Sequence, residues 1–318
     1  MKEPEIDKSR DGENGHAVPR APIYVFSDSF QPRIPVDRSS CLAGSELGQH
    51  VEQIIVQIEK LGIRVNRSSR LREYQELLSS NTPKFAEGEE VTFNWALLEC
   101  LQFSVIVRSL EMLEANSCWL PKLQSAVTGA TFANDDSESS RARSDQCELY
   151  FMGMLLHAGF AVELGEPDLL VKLSDKETLA MAVKRPRSEK KVFKNIRAGI
   201  RQLPIGGPAG VVAIDLSFIE HVAKPLYIYE AVNEQVPAAI LLDGYARENW
   251  LDLLRAGRGP NTLGLLLHLS CGVRSLRPNL AMISRRWLFV ANEFDPRVDK
   301  LTRAIQSLGA KSSSPNGR

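Results

Sequence analysis

Long apolar runs, paired cysteines and an excess of charge of either sign are all missing from this chain of 318 residues. Its most apolar late segment, "TLGLLLHLSCGV" (262–273), is too short to span a bilayer, which needs about 20 residues. Five cysteines (Cys41, Cys100, Cys118, Cys147 and Cys271) lie far apart with no CxxC pair, which argues against a zinc ribbon and a disulfide framework. Cys147 is therefore read as a packing residue. The 39 basic and 39 acidic residues cancel, so any attraction to nucleic acid or membrane must come from a local patch. The first twenty residues hold no apolar run suited to a signal peptide, and the chain is expected to be cytoplasmic with no membrane partner. Five scattered histidines show no metal-ligand spacing. "IGGPAG" (205–210) lacks the Lys-Ser/Thr ending of a phosphate-binding loop and precedes a strand, so it reads as a connector.

What is present suits a folded α/β protein. Hydrophobic residues make up 43% of the chain and charged residues 25%, enough for a real core. Residues 1–44 read as a flexible arm, within which the short apolar patch from Ile23 to Phe26 is expected to dock on a neighbour. Residues 45–129 read as an α-helical region: Val51, Ile54, Ile55, Ile58 and Leu61 recur at steps of three and four, and Gly62 is a natural stop. Leu71, Tyr74, Leu77 and Leu78 repeat the pattern. Residues 92–114 are apolar almost all round, as a buried central helix would be. Residues 130–145, "ATFANDDSESSRARSD", are small, polar and charged and predict an exposed linker.

From 146 to 308 the composition changes to α/β, with 309–318 a disordered tail. "QCELYFMGMLLHAG" predicts a helix ending at Gly159. "FAVEL", "DLLVKL" and "LAMAVKRP" predict three strands, and "EKKVFKNIRAGIRQL" a helix with Phe193, Ile196, Ile200 and Leu203 on one face. "AGVVAIDLS" predicts a strand buried in the middle of a sheet. A helix around 235–255, strands at 263–271 and 285–292, and a last helix near 296–308 complete the expectation. "SRRWLFVAN" reads as a strand with a packed tryptophan.

This order, together with Glu148 on the first helix, Asp168 in "EPD", Lys184 in "AVK" and Gln202 in "IRQL", resembles the PD-(D/E)XK nuclease-like superfamily. The resemblance covers residues 145–217. It implies a restriction-endonuclease-like αβββαβ core with a mixed sheet, preceded here by the helical region. It also implies metal-dependent hydrolysis of phosphodiesters, with Glu148 and Asp168 as ligands of Mg²⁺ or Mn²⁺. Lys184 would steady the attacking water or the phosphate, and Gln202 would support it. The chemistry accounts for these types. Mg²⁺ prefers hard carboxylate oxygens, and carboxylates on adjacent strands about 4.8 Å apart can share an ion. A lysine beside them supplies a point charge where negative charge gathers.

One position departs from the pattern. The acid expected two residues before the lysine is Ala182, which strand alternation puts on the same face as Lys184. Glu148, Asp168 and the carbonyl near Val183 remain as candidate oxygens, with Glu189 a nearby acid, and Ala182→Glu is the change that tests for gain of cleavage. Between Lys184 and Arg201 lie eight basic residues and one acid, including Arg185, Arg187, Lys190, Lys194, Arg197 and Arg201. Clustered cations of this kind suit a nucleic-acid backbone through counterion release. The expectation is thus a nuclease-like protein acting on or binding nucleic acid, DNA first, with cleavage weakened or lost as in a pseudoenzyme. The alternative is a non-catalytic scaffold that binds nucleic acid or, through its helical region, a protein.

Overall fold

A computed structural model of the chain describes residues 23–25, 41–43, 46–79, 89–111, 113, 118–129, 141–219, 227–231, 237–277, 279–291 and 297. It is an α/β protein in which helices cover both faces of one sheet.

The helical region supplies four helices: α1 (Leu47–Lys60), α2 (Arg70–Ser79), α3 (Glu89–Glu111) and α4 (Leu120–Thr128). Val51, Ile54, Ile55 and Ile58 of α1 are buried, as their spacing requires. The helix ends where Gly62 turns to φ +84 and its N–H reaches the Glu59 carbonyl at 2.9 Å, a left-handed stop open to glycine without cost. α5 (Arg141–His157) begins inside the expected linker. Arg143 and Asp145, read as exposed, are buried there because α5 lies between the bundle and the sheet.

The three expected strands follow as β3 (Ala161–Leu164), β4 (Leu169–Ser174) and β5 (Glu177–Lys184), an antiparallel meander. α6 (Glu189–Gln202) crosses back, and β6 (Gly210–Asp215) returns parallel to β5, buried at every position. After β7 (Tyr227–Ala231), the expected single helix around 235–255 is two, α7 (Pro237–Glu248) and α8 (Trp250–Ala256). Asn249 lies at the break, its Nδ2 donating to the Tyr245 carbonyl at 3.0 Å.

β8 (Thr262–Arg277) runs parallel to β6, and β9 (Asn279–Ala291) is antiparallel to β8. These two strands are far longer than the apolar stretches that announced them, because the polar "RSLRPNL" between them conceals the continuous pairing. The helix expected near 296–308 lies outside the described residues. The spatial order is β3-β4-β5-β6-β8-β9; β1 (Ile23–Val25) and β2 (Cys41–Ala43) pair with β9, and β7 with the far half of β8.

Side-chain alternation divides the interior into two cores. Met181, Val183, Val211 and Ala213 join one continuous core with α1–α5. Ala180, Ala182, Val212 and Ile214 face the other way, into a core closed by α6, α7 and α8. The helices before residue 130 therefore have no core separate from the sheet's.

Candidate functional site

The sequence candidates can be followed from the backbone outward. β4 begins just after Asp168, and antiparallel pairing sets Leu169 opposite Met181. Asp168 is thereby brought beside the last residues of β5. Its Oδ2 accepts the Val183 N–H at 2.7 Å and the Lys184 ammonium at 3.1 Å. The same ammonium donates to the Val183 carbonyl at 2.9 Å. The side chains of Asp168 and Lys184 are 11% and 16% exposed, so the pair sits at the protein surface but is mostly enclosed.

Glu148 joins them from the middle of α5. Burial is the largest influence on its carboxyl and raises its pKa; Lys122 opposes this, and the neighbouring Asp168 charge adds to it. Lys122, on α4, was not singled out from the sequence. Its ammonium donates to Glu148 Oε2 and lies 3.6 Å from Asp145 Oδ1. Burial works to lower the Lys122 pKa, but Glu148, Asp145 and Asp168 together prevail and raise it. The cluster is thus three carboxylates and two ammonium groups drawn from α4, α5, the residue just before β4, and the end of β5. A lone lysine beside a proline in a short helix carried no sequence signal for this role.

Each group expected to bind a metal is already engaged through one of its oxygens. Glu148 accepts from Lys122, Asp168 from Val183 and Lys184, and the Val183 carbonyl from Lys184. Mg²⁺ demands near-octahedral oxygen coordination and gives up water reluctantly, and the Lys122 and Lys184 ammonium groups beside Glu148 and Asp168 repel a dication. With both ammonium groups in place, the charge of the cluster does not fit one. Ala182 adds no vacancy that an acid could fill. It is fully buried in the α6-side core, where α6 approaches β5 and β6 at Gly199. A Cβ on Gly199 would fall 2.5 Å from Val212 Cγ1 and 3.5 Å from the Ala182 Cβ. A carboxylate at 182 would enter that packed apolar contact.

Gln202 is not brought to the cluster. α6 leaves the end of β5 and runs back along the sheet, and Leu203 lies against Gly210, the first residue of β6. At 1.5 Å per residue the helix carries Gln202 about 20 Å from its first turn. Glu189 is exposed on that first turn, and its charge contributes, after burial, to a Tyr245 pKa pushed up to about 12.

Lys190, Lys194, Arg197 and Arg201 are exposed along α6, while Val192, Ile196 and Gly199 face the sheet. Arg187, just before the helix, is half-buried. Arg185 differs from the other cations. Its side chain is 5% exposed and is held inside by Asp215 at 3.0 Å, Gln102 at 2.7 Å and the Phe218 ring 4.6 Å away. The guanidinium is committed inward because β6 ends on a carboxylate directly beside it.

That carboxylate belongs to a second polar cluster, fully enclosed. Asp215 Oδ1 lies 3.1 Å from His268 Nδ1 and accepts from Ser217, and His268 Nε2 lies 3.1 Å from Ser270 Oγ. Burial alone would raise the Asp215 pKa; Arg185, His268 and Ser217 outweigh it and hold the carboxyl below its ordinary range. Cys147 beside it is buried, and its thiol is pushed up to about 12, in keeping with a packing role. The Trp287 ring packs 4.3 Å from His268. The network continues through Gln102 and Gln146 to Arg70, Glu99, Arg143 and Tyr74. Asp215, His268 and Ser270 resemble a relay in their spacing, yet Asp215 and His268 are 0% exposed and Ser270 1%. All three are enclosed in the interior. One signal in the sequence pointed here: a single aspartate closing the apolar "AGVVAID".

No protein family, characterised protein or solved structure matches this chain. Among the described residues, no helix is long and apolar enough to cross a membrane.

Proposed function

We propose that this is a PD-(D/E)XK nuclease-like protein that binds nucleic acid and in which phosphodiester hydrolysis is weakened or lost. One observation carries the reading: Asp168 and Lys184 meet at 3.1 Å at the end of β5, beside Glu148, within an αβββαβ succession from α5 to β6. The exposed cations of α6 begin six residues after Lys184 and offer a phosphate backbone favourable charge.

The weakening of cleavage follows from charge. An ammonium can neutralise carboxylates, but it cannot polarise a bound water as a dication does. Lys122 therefore suits a site that holds phosphate and does not cut it. The alternative of a protein partner docking on the helical region has less support, because α1–α5 spend their apolar faces on the shared core. Among large apolar residues described in that region, only Val56 is exposed.

The test is incubation of purified protein with single- and double-stranded DNA and RNA, with and without Mg²⁺ or Mn²⁺, alongside binding assays. The expected outcome is salt-sensitive binding with little or no cutting, and weaker binding in Lys184→Ala. Efficient cutting abolished by both Asp168→Ala and Lys184→Ala would instead show an active enzyme. Absence of binding to every nucleic acid would end the proposal.

A further inference from the structure

At the other end of the sheet from Lys184, α6 and α8 diverge around a groove of about 620 Å³. Arg197 and Arg201 enter it from α6, Arg255 from α8 and Arg258 from the following loop, over an apolar floor that includes Phe193 and Ile200. Four guanidinium groups thus share one groove with a single carboxylate, Asp252. That carboxylate lies 3.5 Å from Arg255, and both side chains are largely exposed. No other carboxylate among the described residues pairs with these four arginines. Behind Arg258 the loop lies close against α6: a Cβ on Gly259 would fall 2.5 Å from Ile200 Cγ2. Any larger residue there would require Ile200, Thr262 or the loop to shift.

Four guanidinium groups against one carboxylate leave the groove net positive, and an anion neutralises it. Guanidinium is the cation whose planar fork matches phosphate oxygens in pairs. We infer that this groove is a second contact site for nucleic acid, gripping the phosphate groups of a strand that runs along α6 from the Lys184 end. The inference rests on the nucleic-acid reading above and adds Arg255 and Arg258 to it.

The occupant is a strand and not an isolated phosphate compound because the cations do not stop at the groove. Lys190 and Lys194 continue the exposed face toward the Asp168–Lys184 cluster. At 1.5 Å per residue, Lys190 to Arg201 spans about 16 Å, room for several nucleotides at a rise of about 3.4 Å each. A small phosphate compound would use only the groove. Phe193, half-buried in its floor, offers a ring face against which a base can rest.

The experiment is fluorescence anisotropy with a labelled single-stranded oligonucleotide over a salt series, using wild type, Arg255→Ala/Arg258→Ala and Lys190→Ala/Lys194→Ala. Both substituted arginines are exposed, and circular dichroism checks that the fold is kept. Arg255→Ala/Arg258→Ala is expected to lower the slope of log affinity against log salt by about 2 and to weaken binding by at least about tenfold near 0.1 M salt. An unchanged slope in that variant, with Lys190→Ala/Lys194→Ala still weakened, overturns the groove but leaves the nucleic-acid reading standing. If wild type ignores the oligonucleotide yet binds pyrophosphate through Arg255 and Arg258, the strand is the wrong occupant and the nucleic-acid reading falls. Binding of neither overturns both.

Discussion

Lys122 is the residue on which the chemistry of the strand-end cluster turns. The family resemblance singles out Asp168 and Lys184, and β4–β5 pairing brings them together. Lys122 lies on a different helix, 26 positions before Glu148, and only the packing of α4 on α5 delivers its ammonium. Lys122→Ala leaves Glu148, Asp145 and Asp168 without that counter-charge and opens the oxygen of Glu148. Mn²⁺ binding, followed by electron paramagnetic resonance or calorimetry, should tighten by at least about tenfold. That is a modest share of the roughly 4 kcal/mol a unit charge exerts at 4 Å and an effective dielectric of 20. Unchanged Mn²⁺ affinity would show that Lys122 is not what keeps a dication out. Arg185 teaches the complementary lesson. It read as one cation of a basic run, but the carboxylate beside it in space, Asp215, draws it inside.

At the scale of elements, α6 decides which positions of β5 can carry chemistry. Its amphipathic pattern was plain, and its bounds fell within a residue of expectation. What the pattern could not convey was direction. α6 runs back along the sheet, so Gln202 is carried away from Lys184 and Gly199 is laid onto Val212 and Ala182. Ala182→Glu should therefore not restore cleavage. It should cost about 3–5 kcal/mol, the scale of an uncompensated buried charge. Urea denaturation measures the cost, and a nuclease assay with Mg²⁺ checks the activity. A stable Ala182→Glu protein that cuts DNA would show that the side chain escapes α6 to reach the Asp168 side.

The whole molecule is tied together by buried polar groups, and this sets its response to acid. His50, on α1, has its pKa lowered to about 4 by burial, with the Arg108 charge adding to the effect. A histidine held neutral in the fold binds its proton more readily when unfolded, so stability falls as pH drops below about 6.5 and stops falling near 4. For these two values the loss at pH 5 is about 2 kcal/mol. Asp215 acts in the same direction lower down, its stabilisation present above the ordinary aspartate range and lost as pH falls through its depressed value. Glu148, with a raised pKa, opposes both. Urea midpoints at pH 7 and pH 5 should separate clearly in wild type and converge in His50→Phe; equal separation in both proteins would assign the acid sensitivity elsewhere.

Sequence alone determined what depends on neighbours along the chain. The three- and four-residue spacing of α1, the turn signals between β3, β4 and β5, and the apolar run of β6 each specify an element locally, because helix and strand periodicity bury one face whatever the partner. Tertiary structure alone decided what depends on juxtaposition. The 130–145 stretch looked like linker, yet its end becomes the start of α5, where Arg143 finds Glu99 and Asp145 finds Lys122. β8 and β9 extend through polar residues because each supplies the other's backbone partners. Charge needs a partner in space, and Lys122 with Glu148, Arg185 with Asp215 and the four arginines of the α6–α8 groove acquire their roles only when separate elements meet.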